Sequence, residues 1–118
     1  MAASAIIFGT SGRSLTDDER AFYREANPWG FILFGRNVRN PAQLTALTAD
    51  LRETMGRNVP ILIDQEGGRV QRLGAPHWPE YLPALTQMAR ARQPMRAQWI
   101  RNRLIAHDLH KVGIDVNC

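Results

Sequence analysis

Cysteine is all but missing from this chain of 118 residues: the only one is Cys118. No internal disulfide framework can form, which fits a reducing compartment, and Cys118 itself reads as a small apolar residue in a strand. Long apolar runs are missing too. Nothing approaches the roughly 18 residues that a membrane-spanning helix needs, and the start MAASAIIFG lacks the basic head and long apolar stretch of a secretory signal. A cytoplasmic protein with no membrane partner is therefore expected. Histidines number 3, and His107 and His110 lie beside Asp108 with no further ligand cluster, so no metal is expected. The turn Gly9-Thr10-Ser11-Gly12 lacks the Lys and following Ser or Thr of a nucleotide-binding loop, and no cofactor is expected.

What is present points to one folded domain. Hydrophobic residues make up 44% and charged residues 22%, which is the composition of globular proteins rather than disordered ones. The net charge of +4 raises the question of nucleic acid. The arginines are scattered, however. The nearest approach to a run, Arg90, Arg92, Arg96, Arg101 and Arg103, spreads around a helix and reads as a solvated face, so no nucleic-acid partner is expected.

Four short apolar segments bounded by Gly, Pro or Asn read as strands: 5–8, 29–34, 59–63 and 114–116. Near-continuous apolar runs suit parallel strands covered on both faces. Between the first two, Thr16 with Glu19 three residues on forms a capping box, opening a helix that runs to about Ala26. Asn40, Pro41 and Gln43 open a second helix, whose Leu44, Leu47, Leu51 and Met55 form one apolar stripe and which stops at Gly56. After the third strand comes a connection with Pro76, Pro79 and Pro83. Helical pattern follows from about Ala84, is interrupted at Pro94 and resumes to about Lys111, as two helices or one kinked helix. This alternation predicts an α/β fold, either a doubly wound sheet or part of an eightfold barrel. A complete barrel takes about 250 residues, so a barrel here would be incomplete.

In parallel α/β folds ligands bind at the carboxyl ends of strands, which singles out Asp64, Gln65, Glu66, Gly67, Gly68, Arg69 and Arg72. A carboxylate there can accept two sugar hydroxyls, an arginine can return a guanidinium to the same pocket, and the glycines permit close approach. Equally, Asp64 could cap a turn or pair with Arg69 or Arg72 only to hold the loop. Asp64 and Glu66 invite reading as a catalytic pair, but glycosidase carboxylates face the bond from opposite sides at about 5 Å or more, and neighbours two apart rarely do so. His77 and Trp78 could stack on a sugar or anchor the long loop. Arg36 and Asn37 share the rim with Asp64 and could shape a pocket or bond neighbouring backbone carbonyls.

The string IDQEGGRVQRL from Ile63, with WGFILFGRN upstream and KVGIDVNC at the end, resembles bacterial β-N-acetylhexosaminidases of glycoside hydrolase family 3. The match runs in the same order over nearly all 118 residues. The resemblance implies that residues 1–118 are the N-terminal portion of a (β/α)8 TIM-type barrel, about three and a half βα units. It implies an enzyme that removes terminal β-linked N-acetylglucosamine from peptidoglycan fragments during cell-wall recycling, so that the partner is a small sugar, an N-acetylglucosaminyl muropeptide. Asp64 and Arg72 match the family's sugar-binding Asp and Arg. The family's retaining mechanism uses an aspartate nucleophile and a histidine on a mobile loop, assisted by another aspartate. Those motifs are expected beyond Cys118, which leaves no catalytic residue in this chain and makes a non-catalytic sugar-binding or regulatory piece the alternative reading.

Overall fold

The computed structural model describes residues 2–118. Strands β1 (Ser4–Phe8), β2 (Pro28–Leu33), β3 (Ile61–Ile63) and β6 (Val116–Asn117) form one sheet in the order β1-β2-β3-β6. Every neighbouring pair is parallel. Helix α1 (Asp17–Ala26) links β1 to β2, and α2 (Pro41–Met55) links β2 to β3 after a 3-10 turn at Gly35–Asn37. Between β3 and β6 lie a two-stranded ribbon, β4 (Gln65–Gly67) and β5 (Val70–Gln71), then α3 (Ala84–Arg90) and α4 (Pro94–Lys111). The break at Pro94 therefore separates two helices. Because all four sheet strands point the same way, the residues that follow them share one rim: Gly9, Phe34, Asp64 and Cys118.

The capping box at α1 forms as its sequence dictates. The Glu19 amide donates to Thr16 Oγ1 at 3.1 Å, and Glu19 Oε2 accepts from the Thr16 amide at 2.9 Å. The other oxygen, Oε1, accepts from the Thr10 hydroxyl and from the amide and hydroxyl of Ser11, so the cap also fixes the Gly9–Gly12 turn. Burial pushes the Glu19 carboxyl up, but the hydrogen bonds from Thr16, Ser11 and Thr10 outweigh it and hold the pKa at about 2, below the ordinary 4.5. A depressed carboxyl stabilises the fold above its unfolded pKa and loses that contribution as pH falls through the folded one. Thermal melts from pH 6 to 2 are expected to show a steeper fall in Tm between about 4.5 and about 2 for wild type than for Glu19→Gln. Parallel curves would show that the cap carries no such linkage.

Asn40 caps α2 through the Gln43 amide at 2.8 Å, with Pro41 at the first helical position and Gly56 closing the helix in the left-handed region. Its stripe of Leu44, Leu47 and Leu51 is buried in one core with Phe31, Leu33, Ile61 and Ile63 of the sheet and Ile105 and Leu109 of α4. Each such side chain contributes roughly 1.5–3 kcal/mol when fully buried.

Three expectations need correction, the first being Cys118, which lies one residue past β6 and is exposed rather than packed as an apolar residue in a strand. Coverage on both faces holds for β3, buried at all three positions, but not for β1, where Ile6 and Ile7 on opposite faces are 45% and 44% exposed. The first strand is an open edge of the sheet. The arginines of the last helices are not all solvated: Arg103 is exposed, but Arg101 is 3% exposed and lies among the core residues of α4. No helix among the described residues is long and apolar enough to cross a membrane.

Candidate functional site

Strand β3 delivers Asp64 to the rim, and the β4–β5 ribbon turns the chain back so that Arg72 returns beside it. Arg72 Nη2 donates to Asp64 Oδ2 at 3.0 Å, with the two side chains 31% and 20% exposed. Asp64 Oδ1 takes no hydrogen bond from any described residue, and Arg72 Nε is buried without an acceptor. The pair thus combines an anion, a cation and one open carboxylate oxygen at one place. Partly exposed ion pairs contribute only about 0–1 kcal/mol to stability. Arg69, the other possible partner of Asp64, is exposed, and so is Glu66.

The geometry of the pair is set by amides beneath it. Gln65 is fully buried. Its Oε1 accepts from the backbone N–H of Arg72 at 3.1 Å and of Leu73 at 3.0 Å, and its Nε2 donates to the Leu73 carbonyl at 2.8 Å. Asn117, at the end of β6, grips the Gln65 backbone from the other side: its Oδ1 accepts from the Gln65 amide at 2.8 Å and its Nδ2 donates to the Gln65 carbonyl at 3.0 Å. Gln71 ties the ribbon outward, donating to the carbonyls of Leu73 and Pro79 and accepting from the Tyr81 amide. Buried polar groups satisfied this fully make a rigid base.

The two glycines serve close approach, but of the chain's own backbone. A Cβ on Gly67, whose φ is +99°, would meet Arg101 Nη2 and lie 2.5 Å from the Leu82 carbonyl oxygen. A Cβ on Gly68 would lie 2.7 Å from Pro83 Cγ, and the Gly68 amide donates to the Tyr81 carbonyl at 2.7 Å. The 81–83 connection therefore packs onto the ribbon tip.

Other candidates resolve toward structural roles. Arg36 and Asn37 both donate to the Thr10 carbonyl, at 3.1 and 3.0 Å, and Asn37 also to Gly12, so they brace the turn after β1. Trp78 is buried in the core with His77 edge-on at 5.8 Å and exposed, which fits an anchor for the proline-rich connection. Asp108 accepts the Tyr81 hydroxyl at 2.5 Å. Burial, then the hydrogen bond and charge of Asp108, push the Tyr81 phenol up.

Arg101 is the residue that sequence reading missed. Its guanidinium donates to the carbonyls of Glu66 and Leu82 and, at 3.1 Å, to Gln87 Oε1. A signal was available: Arg101, Ile105 and Leu109 recur at a spacing of four, and all three are buried. The arginine occupies a core position of the helix.

No family model matches the chain. The beta-hexosaminidase of Bordetella avium is 34% identical over 117 residues, which cover 95% of this chain and 33% of that protein. The crystal structure of NagZ from Neisseria gonorrhoeae superimposes with a TM-score of 0.85 at 29% identity, over 98% of this chain and 35% of that one. A glycoside hydrolase family 3 β-N-acetylglucosaminidase from Paenibacillus matches with a TM-score of 0.79 at 30% identity, over 94% of this chain and 21% of its own. The chain spans about one third of the length of the Bordetella relative.

Proposed function

We propose, from the kinship of this chain over nearly all its length to the N-terminal part of glycoside hydrolase family 3 β-N-acetylhexosaminidases, that Asp64 and Arg72 bind a sugar. The observation that carries the reading is their partly exposed pairing at the carboxyl end of β3, with one carboxylate oxygen of Asp64 free of any hydrogen bond. Asp64 accepts hydrogen bonds from sugar hydroxyls, and Arg72 both orients that carboxylate and donates to a sugar oxygen. Hydrogen bonds to charged groups are about twice as strong as neutral ones, so a small number of contacts suffices to orient one ring.

The activity that goes with this site is hydrolysis of terminal β-linked N-acetylglucosamine from peptidoglycan fragments, in cell-wall recycling in the cytoplasm. The reaction retains anomeric configuration. Residues 1–118 supply the first three and a half βα units of the barrel and the sugar-holding pair, while the nucleophile and the acid/base are carried by other segments. Asp64 tied to Arg72 and an exposed Glu66 are not two groups bracketing a bond, as retaining cleavage at about 5 Å separation requires. The related Neisseria enzyme has been solved with N-trifluoroacetyl-D-glucosamine, a ligand of the same chemical class.

Titration of the isotopically labelled chain with N-acetylglucosamine tests the binding half of this proposal. Saturable shifts at Asp64, Arg72 and Asn117 are expected, without release of nitrophenol from a nitrophenyl N-acetylglucosaminide. A flat titration, or shifts confined to another face, would sink it.

A further inference from the structure

A buried guanidinium is costly because it leaves water, and the usual compensation is a carboxylate. Arg101 has none: no carboxylate among the described residues pairs with it. It is instead held by three oxygens from three separate segments, the Glu66 carbonyl in β4, the Leu82 carbonyl in the 81–83 connection and Gln87 Oε1 in α3. The Tyr81 ring lies against it at 5.8 Å, with the Tyr81 hydroxyl fixed by Asp108 on the same helix as Arg101. Burial pushes the guanidinium pKa down, with Tyr81 opposing the shift. An arginine meets these oxygens with one planar fork; a lysine ammonium is a point charge that cannot span them in the same way.

The place where this fork grips is what gives it a function. Glu66 lies two residues after Asp64 and six before Arg72, so its carbonyl belongs to the ribbon that sets their separation. Gly67, next in the chain, leaves the space through which Arg101 reaches that carbonyl. We propose that Arg101 is a positioning residue: it clamps the β4–β5 ribbon from below and thereby holds Asp64 and Arg72 in register for the sugar. The inference rests on the sugar-site reading for its functional consequence and on the hydrogen bonds of Arg101 for its mechanism. Arg101 touches no substrate; it acts through the Glu66 carbonyl.

The test compares wild type, Arg101→Met, Arg101→Lys and Ile105→Ala in the labelled 118-residue chain. Ile105 is equally buried, one turn further along α4, and makes no hydrogen bond to the ribbon, so Ile105→Ala controls for lost stability alone. Each variant is titrated with N-acetylglucosamine well below its Tm, and the Arg72 Nη–Hη signal is followed as a direct report on the pair, which Nη2 makes. Both Arg101 variants are expected to bind the sugar about tenfold or more weakly, since small misplacements of a binding group cost that much. The Arg72 signal is expected to move to the position of a solvated arginine. Ile105→Ala is expected to lower Tm yet leave both readouts as in wild type. A wild-type Arg72 signal in either Arg101 variant, or the same losses in Ile105→Ala, would overturn the proposal. If wild type binds no sugar, the sugar reading fails while the Arg72 signal still decides the clamp. Should Arg101→Met not fold, Arg101→Lys, which keeps the charge, carries the comparison.

Discussion

Replacing Gly67 with alanine is expected to destabilise the chain by about 3 kcal/mol or more, the range of a strained backbone combined with overpacking. Two separate penalties meet at this position. The backbone φ of +99° is one that side-chain-bearing residues rarely adopt. The added methyl would also lie 2.5 Å from the Leu82 carbonyl oxygen, which is backbone, and would meet Arg101 Nη2, whose guanidinium is held through Nη1 by Gln87 Oε1. Neither neighbour is the loose end of a flexible side chain, so relief requires the 81–83 connection to lift off the ribbon. Urea unfolding followed by tryptophan fluorescence reads the loss, because buried Trp78 lies just before that connection. An unfolding free energy within about 0.5 kcal/mol of wild type, the range of an ordinary surface substitution, would mean that the ribbon tip is not held as described.

Much of the frame was legible from local chemistry. Thr16 with Glu19, and Asn40 with Pro41, announced two helix starts, because a cap needs only residues within one turn of itself. The strands were recognised by their apolar content to within a few residues, and the largest shift is at the last one, observed at Val116–Asn117 rather than 114–116. There the apolar residue Ile114 is buried before pairing begins, while Asn117 pairs despite its polarity because β3 lies alongside. The β4–β5 ribbon was not legible. Its residues, QEG and VQ, carry no apolar alternation, and what holds them extended is the buried amide of Gln65 together with Arg101 from thirty-five residues away.

The candidate site shows the same division. Asp64 and Arg72 could be singled out by their place after a strand, and the structure brings them together at 3.0 Å. The glycine pair was readable as a need for close approach, but which group approaches depended on the 81–83 connection and on α4. Arg101 was misplaced on the solvated face because arginine is rarely buried without a carboxylate, and its compensation comes from backbone carbonyls, which leave no mark in a sequence. From sequence Trp78 and Asn37 fit a pocket or the scaffold equally, and tertiary packing assigns them to the scaffold.

The most direct test of a sugar-holding pair is turnover in an enzyme that carries it. Residues 2–118 can replace the matching 35% of the Neisseria gonorrhoeae enzyme, and Asp64→Ala can be made in that chimera. Removing a carboxylate that accepts two hydroxyl hydrogen bonds forfeits about 3 kcal/mol or more of binding in the transition state, and leaves the Arg72 guanidinium without its partner. The measurement is kcat/KM on a nitrophenyl N-acetylglucosaminide, with the melt of each chimera recorded alongside. The expected result is a fall on the order of a hundredfold or more in Asp64→Ala at unchanged fold. A folded Asp64→Ala chimera that turns over its substrate within about twofold of the parent chimera would contradict the assignment of Asp64 and Arg72 to the sugar.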